Sequence, residues 1–255
     1  MTYCLAIKVD EGLVFASDSR TNAGVDHVST YSKMHTFIWP GERYFVLLSS
    51  GNLATTQSVV KRARDEAEAG GLRSISSMDA AASYMGRIST DVQKEQRERS
   101  NADFEATFIL GGQISGQPPS IHLIYPQGNF IHESPEHPYL QMGETKYGKP
   151  ILDRVIRSDV SVELAGRCAL VSINSTIRSN LTVGPPVELL LYRSGSLGDA
   201  RFLVLNENDP FYRSLNDAWN EGLKHALNNL PKFAWEEEMK LAQYVQEAGN
   251  SLPMR

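Results

Sequence analysis

Thr2 lies directly behind Met1, and this pair of residues carries the clearest chemistry in the chain. Removal of Met1 makes Thr2 an N-terminal threonine, whose free amine serves as base for its own hydroxyl and turns that hydroxyl into a nucleophile. The same opening stretch, Met1 to Lys33, holds an acid, Asp18, and a lysine, Lys33, at separated positions. Further on, Ser49-Ser50-Gly51-Asn52 runs out of a strand-like segment into a helical pattern that begins at Leu53. Backbone N–H groups point outward at such a helix start, where negative charge is stabilised.

Other chemistries are weaker. Cys4 and Cys168 are the only cysteines, far apart and without CxxC or Cys/His ligand spacing, and they read as small apolar core residues. His27, His35, His122, His132, His137 and His225 form no HExxH or HxH pattern, so no metal site is expected. Nothing in the chain calls for a cofactor.

A nucleophile at a chain terminus must be held, because termini ordinarily fray. The elements next to Thr2 are suited to that. Tyr3–Lys8 and Gly12–Ser17 alternate as strands around the turn Asp10-Glu11-Gly12, which predicts a hairpin at the very start. The segment Ser19 to Ser32 is polar and contains Gly24. A second strand pair follows, Met34–Ile38 and Arg43–Ser49, around Pro40-Gly41. Helices are predicted over Leu53–Glu68 and Ser77–Arg97 from their apolar spacing. Strands resume at Phe104–Leu110, Ser120–Tyr125 and Asn129–Glu133, with Gly111-Gly112 and Pro118-Pro119 as separators. Helical pattern covers Gly148–Arg157 and Ser161–Ser179, strands Val187–Tyr192 and Arg201–Leu205 follow, and Pro185-Pro186 fixes the chain entering the first of these. A last helical stretch spans Pro210–Leu230.

Two runs of strands with two helix pairs, lacking regular βαβ alternation, predict an α+β fold: a four-layer αββα sandwich of two antiparallel sheets flanked by helices. We expect one domain over residues 1–205 and a C-terminal helical extension over 206–255. There Trp219, Phe233, Trp235, Met239 and Leu241 cover either a subunit interface, the favoured reading, or the core of the same domain. The formal charge of −5 and the lack of a basic patch interleaved with aromatics exclude a nucleic-acid or anionic-membrane partner from the expectations. No signal sequence or membrane-length apolar run is visible, so the expected location is cytoplasmic.

These residues together resemble the proteasome-type β subunits of the N-terminal nucleophile hydrolases. The resemblance rests on Thr2 behind Met1, Ala16-Ser17-Asp18-Ser19-Arg20 at the end of a strand pair, Gly24, Lys33 opening the next strand, and Ser50-Gly51-Asn52-Leu53-Ala54. Tyr147-Gly148 with Leu152-Asp153 and the Cys168–Ser179 helix extend it over roughly residues 2 to 205. The phrases FASDSRTNAGVD, KYGKPILDR and LTVGPP, with the extension beyond Leu205, make the chain most similar to the Anbu branch of bacterial proteasome homologues. The shorter HslV-type peptidases are the next neighbours.

The resemblance implies a self-assembling threonine hydrolase, arranged as a ring or open spiral of identical subunits, that cleaves peptide or other amide bonds. Thr2 would be the nucleophile, Lys33 the cation beside it, Asp18 the acid holding Lys33, and Gly51 the donor to the oxyanion. Arg20, Ser50, Ser179 and Thr182 would support them, and Asn52 would line the pocket with Ser50. A departure from the family pattern lies at Arg178-Ser179-Asn180-Leu181-Thr182, where an acid often supports the threonine amine, and Met142-Gly143-Glu144-Thr145 stands where a Gly-Ser-Gly loop is usual. Glu144 is a candidate for the missing charge. Two other readings remain open: a non-catalytic structural subunit, and an amidase for small acyl-amino or γ-glutamyl compounds. An ATPase partner is left unassigned.

Overall fold

The computed structural model describes residues 1–22, 28–98 and 102–236. The chain divides into two compact units, Met1–Leu215 and Asn216–Arg255.

The first unit is built on two five-stranded sheets. One contains β1 (Tyr3–Val9), β2 (Gly12–Asp18), β10 (Tyr139–Gly143), β11 (Val187–Arg193) and β12 (Ala200–Leu205), in the order β10-β1-β2-β11-β12. The other contains β5 (Met34–Trp39), β6 (Arg43–Gly51), β7 (Ala106–Ile114), β8 (Ser120–Ile124) and β9 (Phe130–His132), in chain order. Every pairing in both sheets is antiparallel. Helices α1 (Leu53–Glu68) and α2 (Met78–Arg97) belong with the second sheet, α3 (Lys149–Val155) and α4 (Val162–Ser179) with the first.

Three apolar clusters mark the three interfaces between four layers. Leu5, Ile7, Val14 and Ala16 of the first sheet pack with Ala165, Ala169 and Ile173 of α4. Alternate residues of the same strands, Cys4, Ala6, Leu13 and Phe15, face Val46, Leu48 and Ile109 of the second sheet. The outer face of that sheet, Phe45, Leu47, Phe108 and Leu110, meets Val59, Ala63, Ala81 and Met85 of α1 and α2. The period-two alternation of a strand thus explains how β1 and β2 are buried on both faces. This is the αββα sandwich that the sequence predicts.

Three details differ from the sequence expectations. Gly111 and Gly112 do not separate strands; they lie inside β7, which continues to Ile114. A Cβ on Gly111 would come within 2.6 Å of the Phe15 ring and 2.8 Å of Ile121 Cγ2, so this glycine permits close approach of the two sheets. The polar stretch after Ser19 carries a small hairpin outside the sheets, β3 (Arg20–Asn22) with β4 (Val28–Thr30). Its polarity follows from its separation from the layered core, and apolar alternation could not reveal it. Tyr139–Gly143, short and bounded by loops, is an edge strand that closes the first sheet beside β1.

At the opposite edge, β12 leaves Phe202, Leu203 and Val204 exposed. Helix α5 (Pro210–Asn228) begins with Tyr212 and Leu215 packed on the first core. In the second unit Phe233 and Trp235 stack at 4.5 Å and are both exposed. Met239 and Leu241 lie outside the described residues.

The Gly111 contact carries a prediction. Gly111→Ala pushes a methyl group into the Phe15 ring and lowers stability by about 1–3 kcal/mol, read by denaturant unfolding. A change below the error of that measurement contradicts the packing role.

Candidate active site

The nucleophile candidate is fixed through its neighbours. The carbonyl of Thr2 accepts the backbone N–H of Glu144 at 2.8 Å, and the next residue, Tyr3, stands opposite Gly143 in the β1–β10 register. Tyr3 N–H donates to Asp18 Oδ1 at 3.0 Å. Deeper in the layer, Tyr3 Oη and Ser172 Oγ are 2.7 Å apart, and Gln141 Nε2 donates to the same phenol. Burial pushes the Tyr3 phenol above its usual range, so it stays protonated and keeps these bonds at any ordinary pH.

Asp18, at the end of β2, is fully buried. Its Oδ1 also accepts from Lys33 Nζ at 2.6 Å, and its Oδ2 accepts the N–H of Gly184 at 3.1 Å. Lys33 is 6% exposed and donates a second bond to the carbonyl of Arg20 at 2.8 Å. A carboxylate and an ammonium at this depth survive because they pair with each other and each finds further hydrogen-bond partners. One oxygen atom therefore joins the lysine to the backbone beside Thr2. The ammonium can lie no farther than about 5.6 Å from the Tyr3 nitrogen, the two bonds end to end.

Arg20 ties the same corner to the loop after α4. Its guanidinium donates to the carbonyl of Leu181 at 2.7 Å, while the N–H groups of Ser19 and Arg20 both reach the carbonyl of Gly184. Thr182, in that loop, turns its hydroxyl and its N–H onto Asn180 Oδ1, and Ser179 ends α4 exposed to solvent. The Glu144 carboxylate lies 3.7 Å from Lys146 Nζ. Gly24 and His27 lie outside the described residues.

A cleft of about 900 Å³ opens beside Thr2. Thr2, Lys33, Ser50, Gly51 and Asn52 line it together, whereas Ser179 and Thr182 are not among its lining residues. Gly51 ends β6 with φ +117°, a backbone conformation suited to glycine, and a Cβ there would strike the carbonyl of Glu105, the residue just before β7. Asn52 caps α1, its Oδ1 accepting the N–H of Thr55 at 3.2 Å. Backbone amides at the start of α1 therefore border the cleft, where a developing anion is stabilised.

The far wall is charged. Lys61, Arg64, Asp65 and Glu68 from α1 line it with His35 from β5. Lys61 and Asp65 pair at 2.8 Å. Burial, helped by the nearby Arg64 charge, pulls the His35 imidazole down to about 4. Sequence reasoning assigned His35 no part in the site; its position two residues past Lys33, where the chain enters β5, was the available signal.

Among the described residues no group of three or more His, Cys, Asp or Glu side chains could hold a metal ion, and no helix is long and apolar enough to cross a membrane. Burial pushes both thiols up, Cys168 to about 12, so neither is a ready thiolate.

Comparison with known proteins agrees with this architecture. The family model described as proteasome subunit matches residues 2–191. Among solved structures, Anbu (ancestral beta-subunit) from Yersinia bercovieri is 43% identical with a TM-score of 0.86, the match covering 91% of this chain and 98% of that one. The helical assembly of the Anbu complex from Pseudomonas aeruginosa is 44% identical with a TM-score of 0.85 and the same coverage. A (Gly-1) mutant of Anbu from Hyphomicrobium sp. strain MC1 is 41% identical with a TM-score of 0.86, covering 91% and 99%. A search of the curated proteins finds no match.

Two measurements test the geometry. Asp18→Asn leaves Lys33 buried without its counter-charge and destabilises the fold by about 3–5 kcal/mol, seen in denaturant unfolding; an unchanged midpoint contradicts the pairing. For His35 the folded value lies below the usual one, so the folded chain binds fewer protons than the unfolded chain between about pH 6.5 and pH 4. Stability carried by His35 is present above that window and is lost as pH falls through it. His35→Asn flattens the slope, and an imidazole titrating near 6.5 by NMR contradicts the assignment.

Proposed function

The chain belongs to the proteasome subunit family, in its Anbu branch, and from that premise we propose that it is a self-assembling threonine hydrolase whose nucleophile is Thr2 once Met1 is removed. The observation that carries this reading is the double use of Asp18 Oδ1, which holds the Lys33 ammonium and the Tyr3 N–H next to Thr2, with Thr2 and Lys33 both lining the cleft.

The residues take the following parts. The substrate amide enters the cleft with its carbonyl carbon facing Thr2 Oγ. The α-amine of Thr2, freed by loss of Met1, accepts the hydroxyl proton as the C–O bond forms. Lys33 places a positive charge beside that oxygen and favours its anionic character. The Gly51 N–H and the start of α1 receive the negative charge on the former carbonyl oxygen. Collapse expels the amine half of the substrate, which takes the proton from the Thr2 ammonium and leaves an acyl ester on Thr2. Water, deprotonated by the same amine, attacks the ester and restores the threonine. Arg20 fixes the corner that carries Lys33 and Asp18, and Ser179 and Thr182 flank Leu181, whose carbonyl Arg20 holds.

Self-assembly is supported by the helical assembly of the Pseudomonas aeruginosa relative and by the exposed apolar edge at Phe202, Leu203 and Val204. The substrate is a peptide or another amide. The wall formed by Arg64, Lys61, Asp65, Glu68 and His35 favours a polar side chain in the cleft over a large apolar one.

The test is covalent capture. Protein shown by N-terminal sequencing to begin at Thr2 is incubated with an electrophile that bridges an adjacent amine and hydroxyl, then digested for mass spectrometry. An adduct on Thr2 is expected, absent in Thr2→Ala and formed roughly a hundred-fold more slowly in Lys33→Ala. No adduct on a verified N-terminal Thr2 sinks the proposal.

A further inference from the structure

A second carboxylate is buried at this corner. Glu188, on β11, is 6% exposed and stands opposite Ser17 in the β2–β11 register. The neighbouring apolar residues of the same parity, Leu190 and Tyr192, point into the layer between the two sheets, and Glu188 shares their face at the end nearest the cleft. Its Oε2 lies 3.2 Å from Ser17 Oγ and 3.0 Å from Ser32 Oγ. Among the described residues no cation lies within ion-pair distance of it.

The two hydroxyls are not arbitrary partners. Ser17 immediately precedes Asp18, and Ser32 immediately precedes Lys33. Ser32 Oγ also lies 3.0 Å from the carbonyl of Met34 and accepts the Met34 N–H at 3.3 Å. A hydroxyl has one hydrogen, and an ionised carboxylate is the stronger acceptor, so that hydrogen goes to Glu188. One oxygen atom thus binds the chain just before the acid and just before the lysine. Cys4 reports the same neighbourhood: burial raises its thiol first, with Lys33 opposing and Asp18 and Glu188 adding to the effect.

We infer that Glu188 is a positioning residue for the Thr2 site, clasping Ser17 and Ser32 so that Asp18 and Lys33 are held in contact. The functional meaning of this clasp rests on the hydrolase reading above; its geometry does not. Without it, among the described residues the segment between β4 and β5 keeps the Tyr31 N–H bond to the Ser19 carbonyl and the Ser49 N–H bond to the Lys33 carbonyl as its backbone ties. A lysine displaced by a fraction of an ångström loses its alignment on the nucleophile while substrate contacts elsewhere in the cleft persist. Loss of the clasp therefore slows bond formation and leaves binding intact.

The experiment compares the Met1-free full chain with Glu188→Gln, Glu188→Ala and Ser32→Ala, using the same electrophile. Reversible binding and bond formation are separated by concentration dependence. Amide hydrogen exchange is followed at Tyr31 to Met34 and, as a control, in α2. Glu188→Ala is expected to slow adduct formation roughly ten- to a hundred-fold with reversible binding unchanged, and to speed exchange at Tyr31 to Met34 but not in α2. Glu188→Gln, which keeps the shape and one acceptor, loses less, and Ser32→Ala reproduces part of the loss. Bond formation within about two-fold of the parent in both Glu188 variants overturns the clasp. So does unchanged exchange at Tyr31 to Met34. If Glu188→Ala also loses protection in α2, it has unfolded and Glu188→Gln decides. A parent that forms no adduct defeats the hydrolase reading, and exchange in the variants then decides the clasp alone.

Discussion

The structure at the amino terminus depends on one buried carboxylate. Asp18 has no access to water, and an ionised group in that position must find partners from the protein itself. It draws them from three separate segments: the lysine before β5, the backbone of Tyr3 in β1, and the backbone of Gly184 after α4. None of those segments can move without leaving a charge or an N–H unpaired at depth, a penalty of several kcal/mol per group. Chain termini fray when nothing holds them. Here the demand of a single side chain supplies the hold, and it does so at the residue next to Thr2.

Stacked sheets are what make that burial possible. Because β1 and β2 are covered on both faces, by α4 on one side and by the second sheet on the other, the strand end at Asp18 lies inside the protein although Thr2 reaches the cleft. Close approach of the sheets depends on small residues where side chains meet, as at Gly111 against Phe15. The second sheet contributes Gly51 and the start of α1 from the far side of the cleft. Thr2 beside one sheet and the backbone of Gly51 and Asn52 from the other are thereby brought to one opening, and neither sheet alone would make it.

Much of this was legible in the residue pattern, and the unread part has a physical reason. Long amphipathic segments declare themselves through their period: α1 lies at Leu53–Glu68 as expected, and α2 differs from its expectation by one residue. Thr2, Lys33, Ser50, Gly51 and Asn52 do share one cleft, and Asp18 does hold Lys33. The small hairpin β3–β4 and the strand β10 were not read: the hairpin is mostly polar and shows no apolar alternation, and β10 pairs with β1, more than a hundred residues earlier, rather than with a neighbouring segment. The roles of Gly184 and the Tyr3 amide were invisible for a deeper reason: backbone donors carry no residue signature. Glu188 did leave one. A lone acid in the run Val187–Arg193, on the same parity as Leu190 and Tyr192, conflicts with its apolar surroundings, and such conflicts gather at functional sites.

The electrostatics of this corner also bear on the proposed use of the Thr2 amine as a base. An α-amino group ordinarily titrates near pH 7.7–8.0, so it is largely protonated and a poor base at neutral pH. Loss of Met1 would place that group close to the Lys33 ammonium, and a like charge nearby disfavours its protonated form. Asp18 tempers the effect by neutralising Lys33 directly, and Glu188 adds negative charge behind it. The two carboxylates and the lysine thus oppose one another in setting the proton affinity of the new terminus. Each of these charges is held in place: Asp18 by Lys33, Tyr3 and Gly184, Lys33 also by the carbonyl of Arg20, and Glu188 by its two serines. Charges already committed to hydrogen bonds stay where they are when a new one arrives, and an arrangement fixed before the reaction has no reorganisation left to undergo during it.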